Sequence, residues 1–290
     1  MPPREPDFND PSNDVPKESA RTILFQFVIF PLGIVAIAVG IFFLFGKLAS
    51  DEQSIPDYLN QIRSGSSHER WQAAYQLSKS LRRGEAKKYP NLEQEIAAIY
   101  VSAKNDDPRV RRYLSMVLGN LGDRRATPLL VGALGEKDVE TRIYALLALG
   151  ELRDPASVPA VMNAANDDEK DVRVTALYAL GSIDDARAVP LLASALADPT
   201  PDVRFNAAVA LSRFGDRRAL PVLHEMLDRQ HMNGIRTMRE DQKEEAMIVG
   251  ISAETRLVGR EAIPDLQRLT SDPSLRVQSA AREALAKVTR

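Results

Sequence analysis

Between residues 198 and 227 the apolar positions follow a helical beat, stop, and resume. Val203, Ala207, Ala208, Ala210, Leu211 and Phe214 recur at the period of an α-helix and define one buried stripe. Gly215-Asp216 ends that helix, since glycine adopts the left-handed conformation past a helix terminus without steric cost. A second short helix follows, carrying Pro221, Val222, Leu223, Met226 and Leu227. Ahead of the first helix, Asp198-Pro199-Thr200-Pro201-Asp202 forms a turn whose prolines suit a helix start rather than its interior. Each unit therefore reads as two antiparallel helices of about three turns.

The same beat returns every 31 residues. Arg111, Arg142, Arg173 and Arg204 form one series, and Leu118, Leu149, Leu180 and Leu211 another. Asp123, Asp154, Asp185 and Asp216 form a third, and Pro128, Pro159, Pro190 and Pro221 a fourth. A fixed period of this length means one supersecondary unit stacked on copies of itself. The predicted class is all-α, an α-solenoid of helix pairs over residues 55–290. Small side chains line the inner face: Ala145, Ala176 and Ala207 form one column, Ala148, Ala179 and Ala210 a second. They let helices of neighbouring units approach closely.

The ends of the array are irregular, as capping units are. Ile55 to Ile62 reads as a lone helix. Arg70 precedes Arg111 by 41 residues, so the first unit carries extra chain around Arg82 to Pro90. Asp272 to Leu285 matches the pattern with Gln278 in the arginine's place, and closes the array. Pro221 and Pro264 are 43 apart, which places an insertion at residues 229–243. The reading is five full helix pairs, a degenerate sixth, and half-units at each end. Insertions into repeats tend to project as loops and can be functional; the readings here are a mobile partner-contacting loop or tolerated length variation.

The first part of the chain has a different pattern. Residues 1–22 are rich in Pro, Asp, Asn and Ser, a composition that cannot offset its ordering entropy, so a disordered tail is expected. Ile23 to Gly46 is 24 residues without a charge. As a helix it would run to roughly 36 Å, against a hydrocarbon core of about 30 Å. Residues 23–46 are therefore expected to be a single-pass transmembrane helix in contact with the lipid bilayer, with 47–54 as linker. The stretch is too long for the apolar region of a signal peptide. Pro31 would kink it, and Ala36 and Gly40 form a small-xxx-small pair. Lys17 and Arg21 lie close to its start, whereas only Lys47 lies close to its end. That bias places the solenoid on the extracytoplasmic side.

Composition narrows the chemistry. The net charge is −2, and the local cluster Arg109, Arg111 and Arg112 is repeated in no later unit, so nucleic acid is not an expected partner. Cysteine is absent, which removes disulfides, thiol catalysis and thiolate metal sites. His68, His224 and His231 are the only histidines. His224 and His231 flank Glu225, but the sequence offers no further ligand at useful spacing, so no metal and no cofactor are expected. No phosphate loop, Gly-x-Ser-x-Gly elbow or His-Glu-x-x-His motif occurs, so the chain is not expected to be an enzyme. The arginine and aspartate series could look catalytic, but an active site needs one constellation rather than four copies. The arginines are expected to bond carbonyls or a neighbouring unit's carboxylate, and the aspartates to cap the following helix.

The stretch Asp198 to Leu211 reads Asp-Pro-x-x-x-Val-Arg-x-x-Ala-Ala-x-Ala-Leu, with Gly215-Asp216 and Pro221-x-Leu223 after it. This resembles the short bacterial type of HEAT repeat, also found in phycobilin lyase subunits, and the resemblance covers roughly residues 55–290. It implies a scaffold or adaptor, here tethered to a bacterial inner membrane, with the Val-Arg helices lining a concave face. Partner-binding candidates are the outward positions Tyr113, Met116, Tyr144, Leu147, Tyr178 and Arg213. Tyr and Met suit a groove for an extended peptide or partner helix from another protein, possibly part of a membrane complex. The alternative is a lyase-like or chaperone subunit acting on a prosthetic group.

Overall fold

The computed structural model describes residues 30–49, 54–81, 88–89 and 91–289. All regular structure among them is helical. The chain divides into two units, residues 1–54 and 55–290. The expected disordered tail, residues 23–29 of the apolar stretch, linker residues 50–53 and most of the extra chain at 82–90 lie outside the described residues.

In the first unit, α1 (Phe30–Ala49) exposes the large apolar side chains Phe30, Ile34, Ile37, Ile41, Phe42 and Phe43. No helix among the described residues is long and apolar enough to cross a membrane. The span expected from sequence begins at Ile23, seven residues before the first described one.

The second unit opens with the lone helix α2 (Ile55–Ser64). Six helix pairs follow, each with a first helix A and a second helix B. They are α3 (Ser67–Ser80) with α4 (Leu92–Ser102), α5 (Pro108–Leu121) with α6 (Thr127–Ala133), and α7 (Val139–Leu152) with α8 (Val158–Ala164). Next come α9 (Lys170–Ile183) with α10 (Val189–Ala195), α11 (Pro201–Arg213) with α12 (Leu220–Leu227), and α14 (Glu240–Val258) with α15 (Ile263–Leu269). The helix α16 (Leu275–Thr289) closes the array without a B partner among the described residues.

The two helices of a repeat are not equal three-turn rods. From α5 to α11 the A helices hold 13 or 14 residues, while α6, α8 and α10 hold only seven. The cause lies in the aspartate and proline columns. Asp123, Asp154, Asp185 and Asp216 each accept a hydrogen bond from the amide two residues on, which starts a three-residue 3-10 turn. Pro128, Pro159, Pro190 and Pro221 then occupy the first turn of each B helix, where a missing N–H costs nothing. The 3-10 turn consumes residues that the simple period assigns to the α-helix.

Successive A helices pack side by side through the core. Leu118, Leu149, Leu180 and Leu211 are fully buried along it. Beside them runs a glycine column that the alanine columns meet: Gly119 faces Ala148, Gly150 faces Ala179, and Gly181 faces Ala210. A Cβ at Gly119 would stand 2.9 Å from Ala148 Cα, and one at Gly181 only 2.8 Å from Ala210 Cβ. At Gly150 the nearest atom is 3.3 Å away.

At the end of these A helices the backbone turns left-handed. Gly122 and Gly215 carry φ of 74° and 69°, but Arg153 and Asp184 hold the same place in their units at 49° and 63°. Tertiary packing imposes the conformation even where no glycine supplies it.

The insertion at 229–243 does not project as a loop. Asp228 caps a short helix, α13 (Arg229–Gly234), whose Met232 is fully buried. Arg229 is tied to Asp272 in the turn before α16 at 2.5 and 3.0 Å. The last four residues of the insertion start α14, where buried Lys243 pairs with Glu240.

Two consequences follow for stability. Gly181→Ala gains about 1 kcal/mol of helix propensity but loses about 1–3 kcal/mol to overpacking. It should lower the denaturation midpoint, while Gly150→Ala leaves it nearly unchanged. Arg153→Gly relieves a left-handed cost of roughly 1–2 kcal/mol, offset by about 0.5–1 kcal/mol of added chain entropy. A small rise in the thermal midpoint is expected.

Candidate partner-binding face

The arginine column closes the turns between units. Arg142 donates Nη1 to the carbonyls of Glu136 and Lys137, Arg173 to those of Asp167 and Asp168, and Arg204 to those of Asp198 and Pro199. Gln278 does the same with its amide, donating to Asp272 O at 2.7 Å. Several arginines also reach forward to a carboxylate in the following turn or B helix. Arg142 contacts Asp167 at 3.0 Å, Arg111 contacts Glu136 at 2.6 Å, and Arg204 contacts Glu225 at 3.2 Å. Arg111 additionally lies over the Tyr100 ring at 4.4 Å. Arg142, Arg173 and Arg204 are half-buried and engaged with backbone carbonyls, while Arg111 is buried against Glu136 and Tyr100.

On three successive A helices, aromatic rings form a continuous row. Trp71 and Tyr75 come from α3, Tyr113 from α5 and Tyr144 from α7. Tyr75 and Tyr113 have centroids 5.0 Å apart, and Tyr113 meets Tyr144 edge to face at 5.9 Å. Trp71 is 6.3 Å from Tyr113, and His68 packs on Trp71 at 5.3 Å. Such contacts lie in the range where aromatic quadrupoles attract. Cations cover the first two rings: Arg109 Cζ is 4.4 Å from the Trp71 centroid and Lys79 Nζ 4.3 Å from that of Tyr75. Asp107 fixes Arg109 at 2.6 Å, and that hydrogen bond holds the Asp107 carboxyl below its usual range.

Next to the row, Arg112 of α5 forks onto Asp138 at 2.6 and 2.9 Å, while Asp138 caps α7 by accepting from Thr141. The Arg112 bond is the main cause that brings the Asp138 pKa down to about 2. Burial pushes the Tyr144 phenol up.

The six candidates from sequence fall into separate groups. Tyr113 and Tyr144 belong to the row. Thr175 takes the next place in that register, its hydroxyl turned to Asp171 O, and the row stops there. Tyr178 is 40% exposed and lies 5.6 Å from the Arg213 guanidinium, whose Nη1 donates to Ser182. These two line a cavity of about 300 Å³ with Glu151, Arg153, Asp184 and Arg256. Met116 and Leu147 are half-buried, one turn beyond Tyr113 and Tyr144. Tyr75 was missed from the sequence although it stands five residues after Arg70, in the column of Met116, Leu147 and Tyr178.

The B side holds a second polar cluster. His224 of α12, Glu254 of α14 and Asp265 of α15 place ligand atoms within 4.8 Å of one another. The sequence spacing of the histidines gave no hint of it, because Glu254 and Asp265 arrive from a different unit.

The HEAT-repeat family pattern matches residues 95–173 and 158–241, together just over half of the chain. Among solved structures, the complex of CpcE and CpcF of phycocyanin lyase from a Nostoc species is similar at 31% identity, with a TM-score of 0.45 over 56% of this chain. The chain spans 65% of that structure's length. An engineered protein is similar at 19% identity, covering 80% of this chain and 95% of its own, with a TM-score of 0.42. The Escherichia coli protein YibA is similar at 18% identity, covering 83% and 84%, with a TM-score of 0.48. No curated protein matches the chain by sequence.

Because the Asp138 pKa is depressed in the folded chain, its contribution is present above the unfolded value of about 3.9 and disappears as pH falls toward about 2. Asp138→Asn should lower the denaturation midpoint at pH 7. It should also flatten the loss of stability between pH about 4 and about 2, read from midpoints across that window.

Proposed function

The chain belongs to the HEAT-repeat family, and from that premise we propose that it is a membrane-anchored scaffold that holds another protein along its A-helix face. The observation that carries this reading is the aromatic row from Trp71 to Tyr144, flanked by Arg109 and Lys79. Rigid rings supply apolar contact area at low entropic cost, and the cations beside them suit a segment carrying carboxylates. The half-buried Met116 and Leu147 extend the same surface, and Tyr178 with Arg213 offers a second contact farther along the array. The partner is an extended segment or helix of another protein in a membrane complex.

The anchor reading rests on the uncharged stretch 23–46 and on the large apolar side chains that α1 exposes. A helix of that kind is unstable in water and stable in a bilayer. The closer cations at its start favour a solenoid outside the cytoplasm.

Crosslinking and pull-down of the full chain from its native membrane tests the scaffold. A stoichiometric protein partner is expected, and Tyr144→Ala combined with Tyr178→Ala should weaken its capture roughly tenfold or more while the array stays folded. Undiminished capture would sink the face assignment. A coloured preparation, or turnover of a chromophore, would instead favour a role on a prosthetic group, the kind of work that the phycocyanin lyase name denotes. For the anchor, removing residues 1–54 should move the protein from the membrane pellet to the soluble fraction.

A further inference from the structure

The junction of the fifth and sixth helix pairs breaks the repeat at three positions that meet in space, His224 on α12 and Glu254 and Asp265 on α14 and α15. The register of the sixth pair is set by Pro221 and Pro264, 43 residues apart. On that register Glu254 stands in the leucine column, where Leu118, Leu149, Leu180 and Leu211 are all fully buried. Asp265 takes the place of Leu191 and Val222 on the preceding B helices, and His224 the place of Met162 and Ala193. Three apolar positions have become His, Glu and Asp at one point of the array and nowhere else along it.

Their geometry is convergent. His224 Nε2 lies 3.1 Å from Glu254 Oε1 and 3.9 Å from Asp265 Oδ2. Ligands bonded at about 2.1 Å to one tetrahedral ion are about 3.4 Å apart, so the observed pair brackets the required spacing. Glu254 is 1% exposed, its carboxylate faces the other two groups, and its Oε2 has no hydrogen-bond partner. Arg268 bonds Oδ1 of Asp265 at 2.5 Å and the carbonyl of Leu227 at 3.1 Å. It orients Asp265 and leaves Oδ2 directed at His224, as an outer-shell partner of a metal ligand does. His224 is half exposed and gives an ion a path from solvent.

A buried carboxylate in a leucine's place is expensive unless something compensates its charge. Burial of Glu254 and the neighbouring Asp265 carboxylate both disfavour a second negative charge at this point of the array. We propose that His224, Glu254 and Asp265 form a binding site for one divalent transition-metal ion of the zinc class. Two carboxylates neutralise a dication, and the imidazole selects zinc-like ions over magnesium and calcium, which prefer all-oxygen shells. Three protein ligands leave a fourth position for water or for a donor group of a bound partner. The site lies toward the B helices, away from the aromatic row, and its existence does not depend on what that row binds.

Equilibrium dialysis of the purified full chain against zinc ion is the direct test, with magnesium as the comparison. One zinc per chain is expected, held at least tenfold more tightly than by Glu254→Leu or His224→Val. Both variants restore the residue type of the other units, so they should fold. Glu254→Leu should raise the metal-free thermal midpoint, yet lose the further rise that zinc gives the wild-type chain. Equal zinc uptake by the wild-type chain and both variants, or no uptake by the wild-type chain, would overturn the proposal.

Discussion

The close contact between successive A helices governs this array. Gly119, Gly150 and Gly181 present bare backbone to Ala148, Ala179 and Ala210, at separations that leave little or no room for an added methyl. Helix axes can then approach toward the short end of the usual range of about 8–10 Å, and the leucine column beside them is fully buried. The contact repeats at a constant 31 residues, so each unit inherits its placement from the one before. Ser212 follows in the glycine's register, and there Arg256 of the next A helix reaches its hydroxyl at 3.3 Å.

Close packing of helices leaves the turns between units with backbone carbonyls to satisfy, and the arginine column answers that need. Its guanidinium spans two consecutive carbonyls and still has an arm for the next unit's carboxylate. At the last unit Gln278 makes the same bond to the carbonyl six residues back. The requirement is for an N–H donor of the right reach, and charge is secondary. The aspartate column solves the matching problem at the other end of each pair by accepting the free amide that starts the 3-10 turn.

With the internal contacts spent on architecture, individuality is left to positions that the packing does not dictate. On the A-helix face the early units carry Trp71, Tyr75, Tyr113 and Tyr144, and the later ones Thr175 and Asn206 in the same register as the two last tyrosines. On the B side the fifth and sixth pairs together carry a polar triad at three register positions that are apolar in the preceding units. The two departures lie at opposite ends of the array, so one can vary without disturbing the other, as expected when each unit contacts mainly its neighbours.

The period, the all-α class, the helix starts and stops and the leucine and alanine columns were legible along the chain, because helical periodicity and capping chemistry act over a few residues. The glycine column was in register too, but its meaning depends on what stands opposite, which no local pattern states. Helix lengths were misread: a 3-10 turn and the start of an α-helix share the same apolar spacing, and only hydrogen bonding separates them. The insertion looked like a loop because its short helix takes its stability from Met232 and Arg229 meeting groups distant in sequence. Tyr75 and Glu254 stand on registers that the spacings of 41 and 43 residues define, but no local pattern says which side chains they meet. Sequence alone determined the repeating unit, since its signals are local. Tertiary structure alone decided which side chains meet across units, since those distances follow from stacking.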